Sequence, residues 1–425
     1  MTHERSPTPT PIPTLRRAAL IVLDSLGVGG APDAAAFGDT GADTFGHIAA
    51  ACAAGAADVG RAGPLRVPTL ARLGLVHAAE LASGARAPGF DGLPAPLAWW
   101  GAAGERSTGK DTISGHWEMA GQPVTFEWGY FRERRDSVPA ALLAELARRA
   151  GVDGFLGNCH ASGTQIIEDF GEEHLATGRP IVYTSADSVL QVCAHEERFG
   201  LERLYVLCAI ARGLVDPLRI GRVIARPFVG TSRTDFRRTP HRRDYAVPPV
   251  GPTLLDAVQA AGGETVAIGK VSDIFAGVGV SRAVKAHGLE ALATATAAAL
   301  AAGGDRTLVF TNLVDFDQEY GHRRDVPGYA RALEAFDSML ARLLAGLGPG
   351  DLVVLTADHG NDPTWRGTDH TRERVPVLAT GPAVGGGPLG LRDGFADLGQ
   401  SIAAWLGVEP LAHGRAFLGT RRDAA

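Results

Sequence analysis

Three short apolar runs in this 425-residue chain each end in aspartate, and no other feature narrows the fold as much. AALIVLDSLGVGG (Ala18–Gly30) breaks at Asp24 and then at glycines, RTLVFTNLVDFD (Arg306–Asp317) closes on two aspartates, and DLVVLTADHGND (Asp351–Asp362) closes on Asp358-His359. Compact β-rich runs without polar alternation are the signature of strands buried on both faces. Helix-like stretches lie at Thr253–Ala261, Leu289–Ala302, Pro327–Leu347 and Phe395–Leu406, and ETVAIGK (Glu264–Lys270) reads as a further short strand. Strands alternating with helices predict βαβ units, hence an α/β core with a mainly parallel sheet covered on both faces. Ligands collect at the carboxyl ends of such strands. Three strand ends carrying Asp24, Asp317 and Asp358 therefore place the sheet and the chemistry on one edge.

The length exceeds one ordinary hydrophobic core. Residues 127–246 carry separate apolar segments, IVYTSADSVLQV and RLYVLCAIA among them, and end in the Arg- and turn-rich GTSRTDFRRTPHRRDYAVPP. They are expected to form a smaller inserted α+β domain between core segments 15–126 and 247–425. Residues 1–14 are Pro/Thr-rich and are expected to be a disordered tail. The apolar run Ala18–Leu23 is too short for a signal-peptide core or a membrane span. Cys52, Cys159, Cys193 and Cys208 sit singly, as free thiols of a reducing compartment do, so a cytoplasmic protein is expected. The formal net charge of -6 is spread through both signs and offers no basic face to nucleic acid.

Beyond the second and third runs, polar loops add His322, His359 and His370 to the aspartates. Carboxylates mixed with imidazoles suit Mn²⁺, Zn²⁺ or Fe²⁺, and without a neighbouring thiol a structural zinc site is not indicated. A single Asp-His after a strand is ordinarily a turn with a helix cap; three such fragments on one inferred edge are harder to dismiss. Asp315, Asp325, Asp362 and Asp369 are competitors. Strand alternation would send Asp315 and Asp317 to the same face, so local pattern does not separate them.

GERSTGKDTISGHWEMAGQP (Gly104–Pro123) fits the first part of a phosphate loop, but Asp111 stands where that motif needs Ser or Thr, and PAPLAWWGAAG before it shows no convincing strand. A nucleotide-binding reading is rejected. A helix is expected to begin near Asp111 or Thr112. A hydroxyl at such a start can carry a phosphate, or become a nucleophile beside a metal. Thr108, Thr112 and Ser114 are candidates, and Thr112 serving only as a helix cap is the competing reading.

Seven stretches, VLDSLGVGGAPDA, GKDTISGHWEMAG, YTSADSVLQV, GRVIARPFVG, AIGKVSDIF, NLVDFDQEYGHRRD and TADHGNDPTWRGTDHTRE, together resemble the phosphopentomutases of the alkaline phosphatase superfamily. The likeness runs from about residue 20 to about residue 375. It implies an alkaline-phosphatase-like core with an inserted cap and two Mn²⁺ ions per chain. One ion would be held by Asp317, His322 and His370, the other by Asp24, Asp358 and His359, and the resemblance chooses Asp317 over Asp315. Thr112 would carry the phosphoryl group, and Ser185, Asp187, Arg222, Ile224 and Lys270 would contact the sugar phosphate. The implied activity interconverts (2-deoxy)ribose 1-phosphate and 5-phosphate through a phosphothreonine and a bisphosphate intermediate, primed by a sugar bisphosphate activator. Small-molecule pentose phosphates would be the only partners, with no nucleic acid, membrane or obligate protein. The alternative is a metal-dependent phosphatase on the same core.

Overall fold

A computed structural model describes residues 15–185 and 188–418. The expected tail, 1–14, and Asp187 lie outside them. Along the chain the core first supplies β1 (Arg17–Val22) and β2 (Trp99–Ala103). The middle supplies β3 (Leu156–His160), β4 (Ile181–Thr184), β5 (Val189–His195), β6 (Arg222–Val229), β7 (Arg237–Arg238) and β8 (Arg243–Ala246). The remainder supplies β9 (Thr265–Ile268), β10 (Arg282–Val284), β11 (Thr307–Asn312), β12 (Asp351–Thr356), β13 (Val375–Thr380) and β14 (Gly387–Arg392).

The chain divides into two compact units. The larger contains residues up to Val124, Val250–Ser272 and Val278 onward. Its eight-stranded sheet has the order β10-β9-β11-β1-β12-β13-β2-β14. All neighbours pair in parallel except β13, which runs antiparallel to both β12 and β2. β1, β11 and β12 bury nearly every side chain, which is why they read as unbroken apolar runs. Register then decides the chemistry. Val22 pairs with Asn312 on one side and Thr356 on the other, so three adjacent parallel strands end level. Their following loops must meet.

The helices Leu254–Ala260, Leu289–Ala302, Val326–Ala345 and Ala396–Leu406 occupy the stretches that read as helical. One expectation is corrected: WWGAA does form a strand, β2, within the segment that looked strandless. Its two tryptophans are half-buried, and Gly101 has the β14 backbone so close that a Cβ would lie 2.5 Å from the Gly390 carbonyl oxygen. A glycine inside so short a run conceals the strand.

The smaller unit comprises Thr125–Pro249 with Asp273–Gly277. Its sheet has the order β3-β4-β5-β6-β7, with β8 also on β6. Leu190, Val192, Val223 and Ala225 bury one face against Leu204, Leu207, Cys208 and Ala211 of the helix Leu201–Val215. Arg222 and Ile224, two residues apart, therefore share the opposite face of β6.

Candidate metal centre

Asp24 and Asp358 each stand two residues beyond a strand end, on β1 and β12, and both are fully buried. Beyond β11 the chain does not continue as a strand. Residues Phe316–Gly321 form a wide helical turn, closed by the His322 N–H on the Asp317 carbonyl oxygen at 3.0 Å. Strand alternation therefore does not govern Asp315 and Asp317. The Asp315 carboxylate accepts the Leu289 N–H at a helix start, whereas Asp317 turns inward. The other competitors are also engaged elsewhere. Asp325 caps the helix Val326–Ala345, Asp362 lies 2.5 Å from His47, and the exposed Asp369 lies 3.4 Å from Lys110 Nζ.

Two trios of ligand atoms come together within 4.8 Å: Asp317, His322 and His370, and Asp24, Asp317 and His359. Asp317 thus stands between the two halves. Asp358 adjoins the second, its Oδ2 lying 3.4 Å from His359 Nε2, while Asp24 Oδ1 lies 3.6 Å from the same nitrogen. His322 Nε2 approaches Asp317 Oδ2 at 3.1 Å, and His370 Nε2 approaches Oδ1 at 3.6 Å.

The three imidazoles share one arrangement. His322 Nδ1 lies 2.7 Å from the Thr368 carbonyl oxygen, His370 Nδ1 lies 3.0 Å from that of Lys110, and His359 Nδ1 lies 3.1 Å from that of Gly360. A carbonyl oxygen only accepts, so each Nδ1 carries the hydrogen and each Nε2 presents a lone pair. Those lone pairs converge: His322 Nε2 and His370 Nε2 are 3.2 Å apart, and the His359 and His370 rings stack at 3.8 Å. They face carboxylate oxygens that lack donors, since buried Asp24 Oδ1 and Asp358 Oδ2 accept no hydrogen bond. A buried cluster made only of acceptors is costly unless a cation sits in it. Mixed oxygen and imidazole donors, backed by carbonyls behind the histidines, fit a divalent transition ion.

The titration of the group follows its crowding. Burial, then the charges of Asp358 and Asp317, push the Asp24 carboxyl well above its ordinary range. Burial also acts upward on Asp317 and Asp358, but is outweighed: His322 and His370 hold Asp317 far below, and His359 with the Ser25 N–H holds Asp358 below. Burial lowers His359; it acts downward on His370 and His322 as well, but there the Asp317 carboxylate outweighs it and draws both up.

The helix Thr112–Met119 starts beside this cluster. Asp111 is its N-cap, accepting the Ile113 and Ser114 N–H groups at 3.0 and 3.1 Å. The capping role is therefore filled by Asp111, and the Thr112 hydroxyl reaches His359 Nε2 at 3.3 Å. The Ser114 hydroxyl donates to Asp111, and the Thr108 hydroxyl donates to the Val124 carbonyl oxygen.

Of the expected substrate contacts, Ser185, Arg222 and Ile224 belong to the smaller unit and Lys270 to the larger. Ser185 follows β4, Ile224 is buried in β6, and Lys270 Nζ donates to Gln318 at 3.2 Å. Sequence reasoning missed the supporting residues. Asn312 and Asn361 donate to Asp24 and Asp317 at 2.9 and 2.7 Å, and His116 lies 3.2 Å from Asp358. Asn312 and His116 stand inside stretches read for other residues, NLVDFD and GHWE, and that adjacency was the available signal.

Residues 16–410 match the metalloenzyme superfamily model. The chain is 59% identical over 404 residues to the phosphopentomutase of Shewanella baltica (strain OS223), covering 95% of this chain and 100% of that protein. The phosphopentomutase of Shewanella loihica matches at the same identity and coverage. The chain belongs to the phosphopentomutases of the metalloenzyme superfamily. It is a metal-dependent enzyme of the isomerase type. Among solved structures, a Leishmania mexicana phosphoglycerate mutase is similar over 96% of this chain and 98% of that one, with 14% identity and a TM-score of 0.45. Among the described residues, no helix is long and apolar enough to cross a membrane.

Proposed function

We propose that this enzyme interconverts (2-deoxy)ribose 1-phosphate and (2-deoxy)ribose 5-phosphate, with Thr112 carrying the phosphoryl group. The observation that carries the reading is the convergence of three imidazole lone pairs and undonated aspartate oxygens beside the Thr112 hydroxyl. The 59% identity to named phosphopentomutases favours a mutase over a phosphatase. Two Mn²⁺ ions, one with Asp317, His322 and His370 and one with Asp24, Asp358 and His359, would lower the pKa of the Thr112 hydroxyl and neutralise charge on the transferring phosphoryl group.

The chain's own residues supply the rest. Asp111 fixes the helix start and so sets the Thr112 hydroxyl beside His359. Phospho-Thr112 passes its phosphoryl group to the free hydroxyl of the pentose monophosphate. The bisphosphate so formed reorients and returns its other phosphate to Thr112, so phosphate is conserved over the cycle. A sugar bisphosphate primes the first phosphorylation. Ser185, Asp187, Arg222, Ile224 and Lys270 contact the sugar phosphate, and water is kept from phospho-Thr112, since hydrolysis would abort the cycle. The setting is cytoplasmic, with small-molecule partners alone.

Phosphorus NMR of the protein with Mn²⁺, a sugar bisphosphate primer and ribose 5-phosphate is the direct test. Ribose 1-phosphate should accumulate to equilibrium. Inorganic phosphate appearing without isomerisation would overturn the reading.

A further inference from the structure

Two buried side chains outside the proposed ligand and nucleophile set join Asp24 to the main chain of Thr112. Asn312, the last residue of β11, donates from Nδ2 to Asp24 Oδ2 at 2.9 Å and to His116 Nε2 at 3.1 Å. His116 lies one turn beyond Thr112 on the same helix, and its Nδ1 is 2.8 Å from the Thr112 carbonyl oxygen. Both residues are wholly buried, and the His116 ring stacks on Phe310 at 5.6 Å.

The direction of every bond follows from the ends. The Thr112 carbonyl only accepts, so His116 carries its hydrogen on Nδ1 and a lone pair on Nε2. Ionised Asp24, the form that holds a cation, also only accepts, so Asn312 turns its amide nitrogen, with both hydrogens, to Asp24 and His116. A third contact depends on the same tautomer. Asp358 Oδ2 is 3.2 Å from His116 Nδ1, whose hydrogen is directed to Thr112, and that oxygen is left without a hydrogen bond. The side chains that orient Asp24 and leave Asp358 open are thus the ones that hold the start of the Thr112 helix.

We propose that Asn312 and His116 are positioning residues that set the orientation of Asp24 and the placement of Thr112 as one hydrogen-bonded unit. The proposal rests on the phosphothreonine reading above. Neither side chain touches substrate in this scheme; both act through Asp24, Asp358 and Thr112. Hydrogen bonds behind metal ligands commonly govern metal affinity or activity by about 10–100-fold.

Asn312→Asp keeps the shape of the side chain and replaces both donated hydrogens by an acceptor. Calorimetric titration of the metal-stripped protein with Mn²⁺ should show one of two sites weakened by about 10–100-fold. Steady-state assays should show kcat lowered on a similar scale and KM for ribose 5-phosphate within about threefold of wild type. Unchanged Mn²⁺ affinity together with unchanged kcat would overturn the proposal. Should Asn312→Asp lose its circular-dichroism signature, His116 decides. His116→Asn retains a donor near the Nδ1 position and should keep a higher kcat than His116→Leu, whereas equal values would overturn the coupling to Thr112. The two readings fail separately: a wild-type protein that releases phosphate without isomerisation defeats the mutase assignment, while weakened Mn²⁺ binding in Asn312→Asp is read on the protein alone.

Discussion

His370 Nδ1 lies 3.0 Å from the Lys110 carbonyl oxygen, so a residue of the candidate metal centre is hydrogen-bonded to the main chain two positions before Thr112. Arg372, on the same strand-leading segment, fastens that loop further. Its guanidinium donates to the carbonyl oxygens of Glu105, Ser107 and Gly109 and pairs with Asp33 and Glu105. The Asp39 carboxylate meets both the Arg372 N–H and Lys110 Nζ at 2.9 Å. The polar segment GERSTGK is thereby held by the segment that carries His370.

Arg372→Met should destabilise the larger unit by about 3–5 kcal/mol, because it leaves the buried Glu105 carboxylate without its partner. Burial already pushes the Glu105 carboxyl well above its usual value, with Arg372 opposing that push. Urea unfolding measures the loss. Stability equal to wild type would show that the loop is held by its other contacts.

Thr112→Val preserves shape and removes the hydroxyl that faces His359. Mutase turnover should fall by at least about 10³-fold, the scale on which removal of a covalent nucleophile acts. Metal content should stay at the wild-type level. Intact-protein mass spectrometry after priming should show no added phosphate. Phosphate found on Thr108 or Ser114 would reassign the residue.

Removing metal should unfold the centre more readily, since it leaves acceptor facing acceptor. Restoring Mn²⁺ to about 100 times its Kd should add about 2.7 kcal/mol of stability for each site filled. Zn²⁺ should bind more tightly than Mn²⁺ at equal concentration. His370→Ala should lower bound metal measured by atomic emission; full occupancy in that variant would contradict the ligand set.

The strand ends were legible because burial on both faces leaves an unmistakable apolar run, and Asp24 and Asp358 follow directly from it. Asp317 was not separable from Asp315 for a physical reason. The wide turn Phe316–Gly321 has neither strand nor ordinary helix periodicity, so no simple pattern says which carboxylate faces inward. Only the family resemblance chose between them. Asn312 and His116 were hidden differently. A polar residue at the end of a buried strand and a histidine inside a short helix look like ordinary satisfied core residues, and their partners lie 288 and 196 positions apart in sequence. The β2 strand escaped because its close contact with β14 demands a glycine, which erases the strand signal.

His47 offers a pH test away from the proposed metal ligands. Its Nδ1 lies 2.5 Å from the buried Asp362 carboxylate, and that hydrogen bond raises the imidazole above its ordinary 6.5 despite partial burial. The pair's contribution to stability is complete below 6.5 and is lost as pH rises through the raised folded value. An NMR titration of the His47 ring should give a midpoint above 6.5. Between about pH 6 and 8, unfolding of wild type should lose more stability than unfolding of His47→Gln. Parallel profiles for the two proteins would show that the pair is not charged in the folded state.

Gly115→Ala tests how closely the Thr112 helix must approach Asp358. A Cβ at Gly115 would lie 2.2 Å from the Asp358 carbonyl oxygen and 2.9 Å from its Cα, contacts no side-chain rotation can relieve because both atoms are backbone. Alanine is the better helix former, so an exposed position would gain stability from the change. Here overpacking should win, costing about 1–3 kcal/mol. The helix can escape the clash only by moving away from β12, which carries Thr112 away from His359 and strains the His116 contact with Asp358. Activity should therefore fall further than the stability loss explains, and should not recover at lower temperature where the variant is fully folded. A folded Gly115→Ala protein with wild-type kcat would show that the close packing of helix on strand end is not what places Thr112.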